Sequence, residues 1–164
     1  MSRYAEKTEV SSDRSRAEIE RTLQRYGAQG FLYGWDRNQA VIGFKIRGRQ
    51  YRVLVPLPDR NDPQFTHTPA RGRARSQSAL EAAWEQAVRQ RWRAMALWIK
   101  ATLEAAESGI VALETALQPY TVLPSGQTAG DWLAPQIEAA YQTGHMPPML
   151  PAGDAENIVE GEIS

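Results

Sequence analysis

Three arginines, Arg71, Arg73 and Arg75, repeat at every second position of the stretch FTHTPARGRARS with no acidic residue among them. A guanidinium presents a planar fork of donors that matches two oxygens of a phosphate, and no carboxylate in the stretch competes for it. The stretch runs into the start of a helical pattern, where unpaired amides and the helix dipole also favour negative charge. It therefore predicts a phosphate clamp carried on a flexible loop. Two further basic sets accompany it. Lys45 and Arg52 fall on one face of a strand pattern with Arg47 and Arg49 at the turn, while Arg89 and Arg93 share a helix flank with Lys100. Gathered on one side of the molecule, these residues would form a continuous footprint for the backbone of DNA or RNA, or a seat for a nucleotide ligand. Spread over a solvated loop and unrelated faces, they would only add solubility.

Chemistry beyond anion binding finds little support. The chain has no cysteine, which removes disulfides, thiol nucleophiles and thiolate-held metal. Its two histidines, His67 and His145, lie in unrelated loop stretches. Asp59 and Asp62 flank Arg60 in PDRNDP, a composition that builds turns. A metal-dependent nuclease would need further carboxylates or a lysine in register with them. No phosphate-binding loop, dinucleotide fingerprint, nucleophile elbow or HExxH pair is present. No catalytic residue, metal ligand or cofactor is assigned, and the expectation is a binding protein.

The formal net charge of zero conceals an asymmetry. Residues 14–100 carry seventeen Arg or Lys against seven Asp or Glu, whereas residues 101–164 carry nine acids and no Arg or Lys. A basic half of this kind suits a polyanion, unless the acidic half folds back and neutralises it. With 164 residues, 42% apolar content and five Trp, the chain can bury a real core. The opening MSRYAEKTEVSSDRS lacks the apolar run of a signal peptide, and no stretch approaches the ~18 apolar residues of a membrane span. The expected setting is the cytoplasm, with no membrane partner.

Elements must hold these residues. Ser15-Arg16-Ala17-Glu18 reads as a capping box, followed by Ile19, Leu23 and Tyr26 at helical spacing and by Gly27, which predicts a helix over 16–26. From Gly30 to Pro58, alternation with period two predicts a three-stranded antiparallel meander turning at 36–38 and at Arg47-Gly48. The implied register sets Phe44 against Tyr51 and Ile42 against Val53, leaving Lys45, Gln50 and Arg52 on the other face. Phe31, Tyr33 and Trp35 are core if they face inward and stacking platforms for bases if they face outward. Residues 59–77 make a loop long enough to be either functional or disordered. A second capping box at Ser78–Glu81 opens a helix to about Glu107, with Leu80, Trp84, Val88, Met95, Ile99 and Leu103 as its buried stripe. Leu97 and Trp98 lie off that stripe, as burial between elements or in a dimer would require. Ser108-Gly109 stops the helix, 110–117 reads as another helical piece, and a last helix runs from near Thr128 to Gly144.

The stretches RAEIERTLQRYGA, VLVPLPDRNDPQFTHTP, EQAVRQRWRAMALWIKATLEAAESGIVALE and VLPSGQTAGDWLAPQIEAAY resemble a family of small proteins encoded by bacteriophages and prophages. The resemblance runs from about Ser15 to Leu150. It implies a bacterial cytoplasm and a role in phage DNA metabolism or in countering host defence, and it carries over no residue role. The order helix, three strands, helix is also similar to double-stranded-RNA-binding domains, which place basic residues at the start of the second helix. Here the loop before that helix is longer, the helix is about twice the usual length, and a C-terminal region is added.

These readings combine into an α+β protein. Residues 1–14 are expected to be flexible, 15–107 to form a basic core, 108–150 an acidic helical extension packed on it, and 151–164 a disordered acidic tail. The expected function is non-enzymatic nucleic-acid binding with low sequence specificity. The alternative is an interaction protein that inhibits a host complex or sequesters nucleotide signals, in either case as a monomer or a homo-oligomer.

Overall fold

Strict alternation between residues 39 and 56 makes a sheet with one apolar face. The computed structural model describes residues 11–36 and 38–145, and the expected acidic tail lies outside them. The sheet consists of β1 (Gly30–Trp35), β2 (Gln39–Ile46) and β3 (Arg49–Pro56), antiparallel in the order β1-β2-β3. Phe44 sits opposite Tyr51 and Ile42 opposite Val53, the register read from the sequence. Ala40, Ile42, Phe44, Ile46, Tyr51, Val53 and Val55 are buried on one face. Lys45, Gln50 and Leu54 point the other way and are exposed. The β2–β3 turn is Arg47-Gly48 with φ of 48° and 79°, a geometry whose twist suits the strands it joins. An arginine at positive φ is strained where the glycine is not.

Two helices cover the apolar face. α1 (Ser12–Arg25) contributes Ile19 and Leu23 to the core, and α3 (Gln77–Glu107) contributes Trp92, Ala96, Ile99 and Leu103. Three strands reverse the chain twice, so helices that precede and follow the meander run in the same direction. Their contacts agree: Glu18 pairs with Arg93, and Arg21 and Arg25 further along α1 meet Lys100 further along α3. Where α1, β1 and α3 join, Tyr33 meets Trp92 edge to face at 5.6 Å, and the Arg16 guanidinium lies 4.7 Å from the Tyr33 ring centre. Such aromatic and cation–π contacts each add roughly 1 kcal/mol to the burial itself.

Neither capping box forms. α1 starts at Ser12 with Ser11 as its cap, whose hydroxyl accepts from the Arg14 amide, and Ser15 is buried inside the helix. α3 starts at Gln77 with Ser76 as its cap, accepting from the Ala79 amide. In each case a serine further upstream was available and the intervening residues tolerate helix, so the helix extends to it. The two glutamates serve other partners: Glu18 binds Arg93, and Glu81 binds Arg60.

The loop at 59–77 is ordered. Within it α2 (Pro63–Thr66) is capped by Asp62 and buries Phe65. The amide of Thr68 donates to the Arg73 carbonyl, and that of Arg75 to the Thr66 carbonyl, both at 2.8 Å. Trp84 does not join the main core; its indole donates to the Pro58 carbonyl at 2.8 Å and ties the loop to α3. After α3, the predicted helix over 110–117 shrinks to α4 (Leu113–Ala116), which buries Leu113 and is followed by a 3-10 turn at Gln118–Tyr120. Trp98, off the buried stripe, meets Tyr120 of that turn at 5.1 Å, so its partner lies within the chain. The last helix, α5 (Ala129–Thr143), is capped by Thr128, contains Pro135 without interruption and ends at Gly144. It docks through Gly130, where a Cβ would come within 2.9 Å of the Pro119 carbonyl oxygen. No α5 residue is buried.

Among the described residues, the buried hydroxyl of Ser15 has no hydrogen-bond partner, and that of Tyr51 has none beyond the neighbouring Arg49 side chain. Burial pushes the Tyr51 pKa up, while the nearby Arg49 pulls it the other way. A buried hydroxyl left unpaired costs about 1–3 kcal/mol. Ser15→Ala, which also improves helix propensity, is therefore expected to raise stability by about 1 kcal/mol. Tyr51→Phe should leave stability unchanged or higher. Urea midpoints check both, and a clear loss in either variant would mean that its hydroxyl has a partner in solution.

Candidate anion-binding surfaces

Along α1, Glu18, Arg21, Thr22 and Arg25 fall at i, i+3, i+4 and i+7 and so share one flank. Along α3, Arg89, Arg93 and Lys100 share another. Because the helices run parallel, these flanks face each other on the side of the helical layer away from the sheet. They enclose a recess of about 350 Å³ lined by Glu18, Arg21, Thr22, Arg25 and Lys100. Three cations meet one carboxylate there, and that carboxylate is already engaged, because Arg93 Nη1 donates to Glu18 Oε2 at 2.7 Å. Among the described residues, the side chains of Arg21, Arg25 and Lys100 make no hydrogen bond or ion pair, although the Arg25 guanidinium lies 5.5 Å from the Tyr26 ring centre. Uncompensated cations converging on a concave surface focus a field that attracts oxyanions.

The residues singled out from the sequence do not join into one footprint. Lys45 and Arg52 lie on the open face of the sheet, across the whole two-layer body from the recess. Arg52 Nη2 is occupied by the Gly126 carbonyl at 2.8 Å. Arg47 and Arg49 sit at the β2–β3 tip, where Arg47 pairs with Glu114 at 3.5 Å. The Glu114 carboxyl is held below the usual range, first by its own backbone amide and then by Arg47. Arg89 donates twice to Gln86 Oε1, at 3.0 and 2.6 Å. In the loop, Arg75 Nε donates to the His67 carbonyl at 3.2 Å, whereas Arg71 and Arg73 are exposed and unpaired among the described residues. The loop is a folded hairpin-like turn rather than a flexible arm, and α3 carries it about 35 Å from Lys100 at 1.5 Å per residue. Phe31 and Tyr33 pack against the core, which removes them as base-stacking platforms, while Trp35 is 71% exposed.

Lys100 was read from the sequence on a helix flank with Arg89 and Arg93, but only the parallel packing of α1 and α3 brings Arg21 and Arg25 to it. Among the described residues, no group of three His, Cys, Asp or Glu side chains is placed to hold a metal ion. No described helix is long and apolar enough to cross a membrane. No protein-family model, no characterised protein and no solved structure matches the chain.

Glu18→Gln removes the carboxylate from this recess and releases Arg93. The pair is about a quarter to a third exposed, so its loss should cost no more than about 1 kcal/mol. Affinity for pyrophosphate should rise, and more so at low salt. Titration calorimetry tests this, and an unchanged affinity would show that anions do not bind beside Glu18.

Proposed function

We propose that this protein is a non-enzymatic nucleic-acid-binding protein that holds phosphate backbone on its helical side with low sequence specificity. The observation that supports this reading best is the recess between α1 and α3, where Arg21, Arg25 and Lys100 converge around a carboxylate already neutralised by Arg93. Arg71 and Arg73, exposed beyond the start of α3, provide a second set of unpaired guanidiniums. The two sets lie about 35 Å apart along the helix, a spacing that suits an extended polyanion better than a mononucleotide. Phe31 and Tyr33 are committed to the core, so contact falls on phosphates, which position a nucleic acid without reading its sequence. The bacteriophage setting implied by the sequence resemblance, with its bacterial cytoplasm, accommodates such a role.

A second reading, an interaction protein that counters a host complex, draws on α5. Its Leu133, Ile137 and Tyr141 are 37%, 47% and 87% exposed on a helix with no buried residue. An exposed apolar helix face suits docking to a protein, including a second copy of the chain. Pull-down from a bacterial lysate separates the readings: capture that vanishes with nuclease supports nucleic acid, and capture that persists supports a protein.

The direct test compares two triple variants, Arg21/Arg25/Lys100→Ala and Arg71/Arg73/Arg75→Ala, in oligonucleotide binding across a salt series. Each lost phosphate contact should reduce the slope of log K against log salt by about one. Both variants should weaken binding to unrelated sequences alike. If the first triple variant binds as tightly as the wild type, with the same slope, the assignment of the recess fails.

A further inference from the structure

The open face of the sheet carries a second recess, of about 380 Å³, whose chemistry differs from that between the helices. Gly43 forms its floor, opposite Leu32 on one side and Arg52 on the other. Leu32 is 63% exposed, and Val41 and Val122 line the recess beside it. Lys45 and Arg52 line it, Arg52 beside Gly43 with one Nη already donating to the Gly126 carbonyl, and among the described residues no carboxylate lines it. An apolar floor edged by two cations suits a segment that alternates aliphatic and acidic residues. It suits a bare phosphate backbone less well, because the aliphatic groups would then stay in water.

The chain itself contains such a segment. Beyond His145 lie nineteen residues, with Ile158, Val159 and Ile163 interspersed among Asp154, Glu156, Glu160 and Glu162, and with no Arg or Lys. The reach is sufficient. Val122 lines the recess, and α5 begins close by, with the Ala129 amide donating to the Thr121 carbonyl at 2.8 Å. The 15 residues of α5 lead away by about 22 Å. The chain from His145 to Ile158 extends up to about 45 Å, roughly twice that distance. Tethering keeps the segment at an effective concentration in the millimolar range, so a weak fit still occupies the recess.

We propose that residues 154–163 dock in the recess over Gly43, with Ile158, Val159 and Ile163 covering Leu32 and Val41 and the acids facing Lys45 and Arg52. The docked segment blankets the open sheet face and removes Lys45 and Arg52 from the cations available to a polyanion. This inference does not depend on the helix-side reading, since the two recesses lie on opposite layers.

The absence of cysteine permits a clean test on the whole 164-residue chain. A nitroxide attached through Ser164→Cys broadens amide NMR signals near it. Docking predicts that the amides of Gly43, Lys45 and Arg52 lose most of their intensity, while those of Arg21 and Lys100 keep theirs. Adding Ile158→Asp and Ile163→Asp, which lie outside the described fold, should restore the lost signals. So should Leu32→Asp with Lys45→Glu, at two exposed positions. Broadening centred on Arg21 and Lys100, on α5, or nowhere overturns the proposal. So does broadening that appears only between a spin-labelled copy and a separate isotope-labelled copy, which would assign the face to a second molecule.

Discussion

The surface of this molecule is organised by the need to cover one sheet face. Period-two alternation in β2 and β3 collects seven apolar side chains on one side of a three-stranded sheet, and a sheet this small is not stable with that side wet. α1 and α3 meet the need, and the three-strand meander between them makes them parallel. Parallel helices then set Glu18 beside Arg93 and bring Arg21 and Arg25 to Lys100. The recess with Arg21, Arg25 and Lys100 is thus a consequence of how the core is closed.

The same alternation divides the positive charge. Residues that flank buried positions on β2 and β3 must face away from the helices, so Lys45 and Arg52 cannot share a surface with Arg93 or Lys100. Among the described residues, the acidic half does little to neutralise the basic one. Of the four ion pairs among the described residues, only Arg47–Glu114 joins residues 14–100 to residues 101–164, and it is long and partly exposed. The described part of the acidic half therefore leaves most of the basic charge uncompensated.

The C-terminal region is attached differently from the core. Thr121 and Val122 pair with the free side of β3, α4 and the following turn bury Leu113 and Leu117, and Trp98 meets Tyr120 edge to face. α5 is then held by its cap and by the close approach of Gly130 to Pro119, with an apolar stripe left open. The segment at 57–75 has a comparable status at the other end of α3. Phe65, the Trp84–Pro58 hydrogen bond and the Arg60 guanidinium over Trp84 turn what reads as loop into a small ordered lobe.

By itself the sequence determined the α+β class, the meander and its register, the two-residue turn and the extent of the long helix. These follow from local periodicity and from Gly, Pro and cap residues, whose preferences act within a few positions. It did not determine which serine caps each helix, since Ser11 competes with Ser15 and Ser76 with Ser78 for similar local gains. Nor did it reveal the α1–α3 recess, the two-sided split of the arginines, or the packing of residues 59–77. Those depend on the direction and rotation of elements far apart in the chain, and burial of the shared core sets both only when the whole structure is closed.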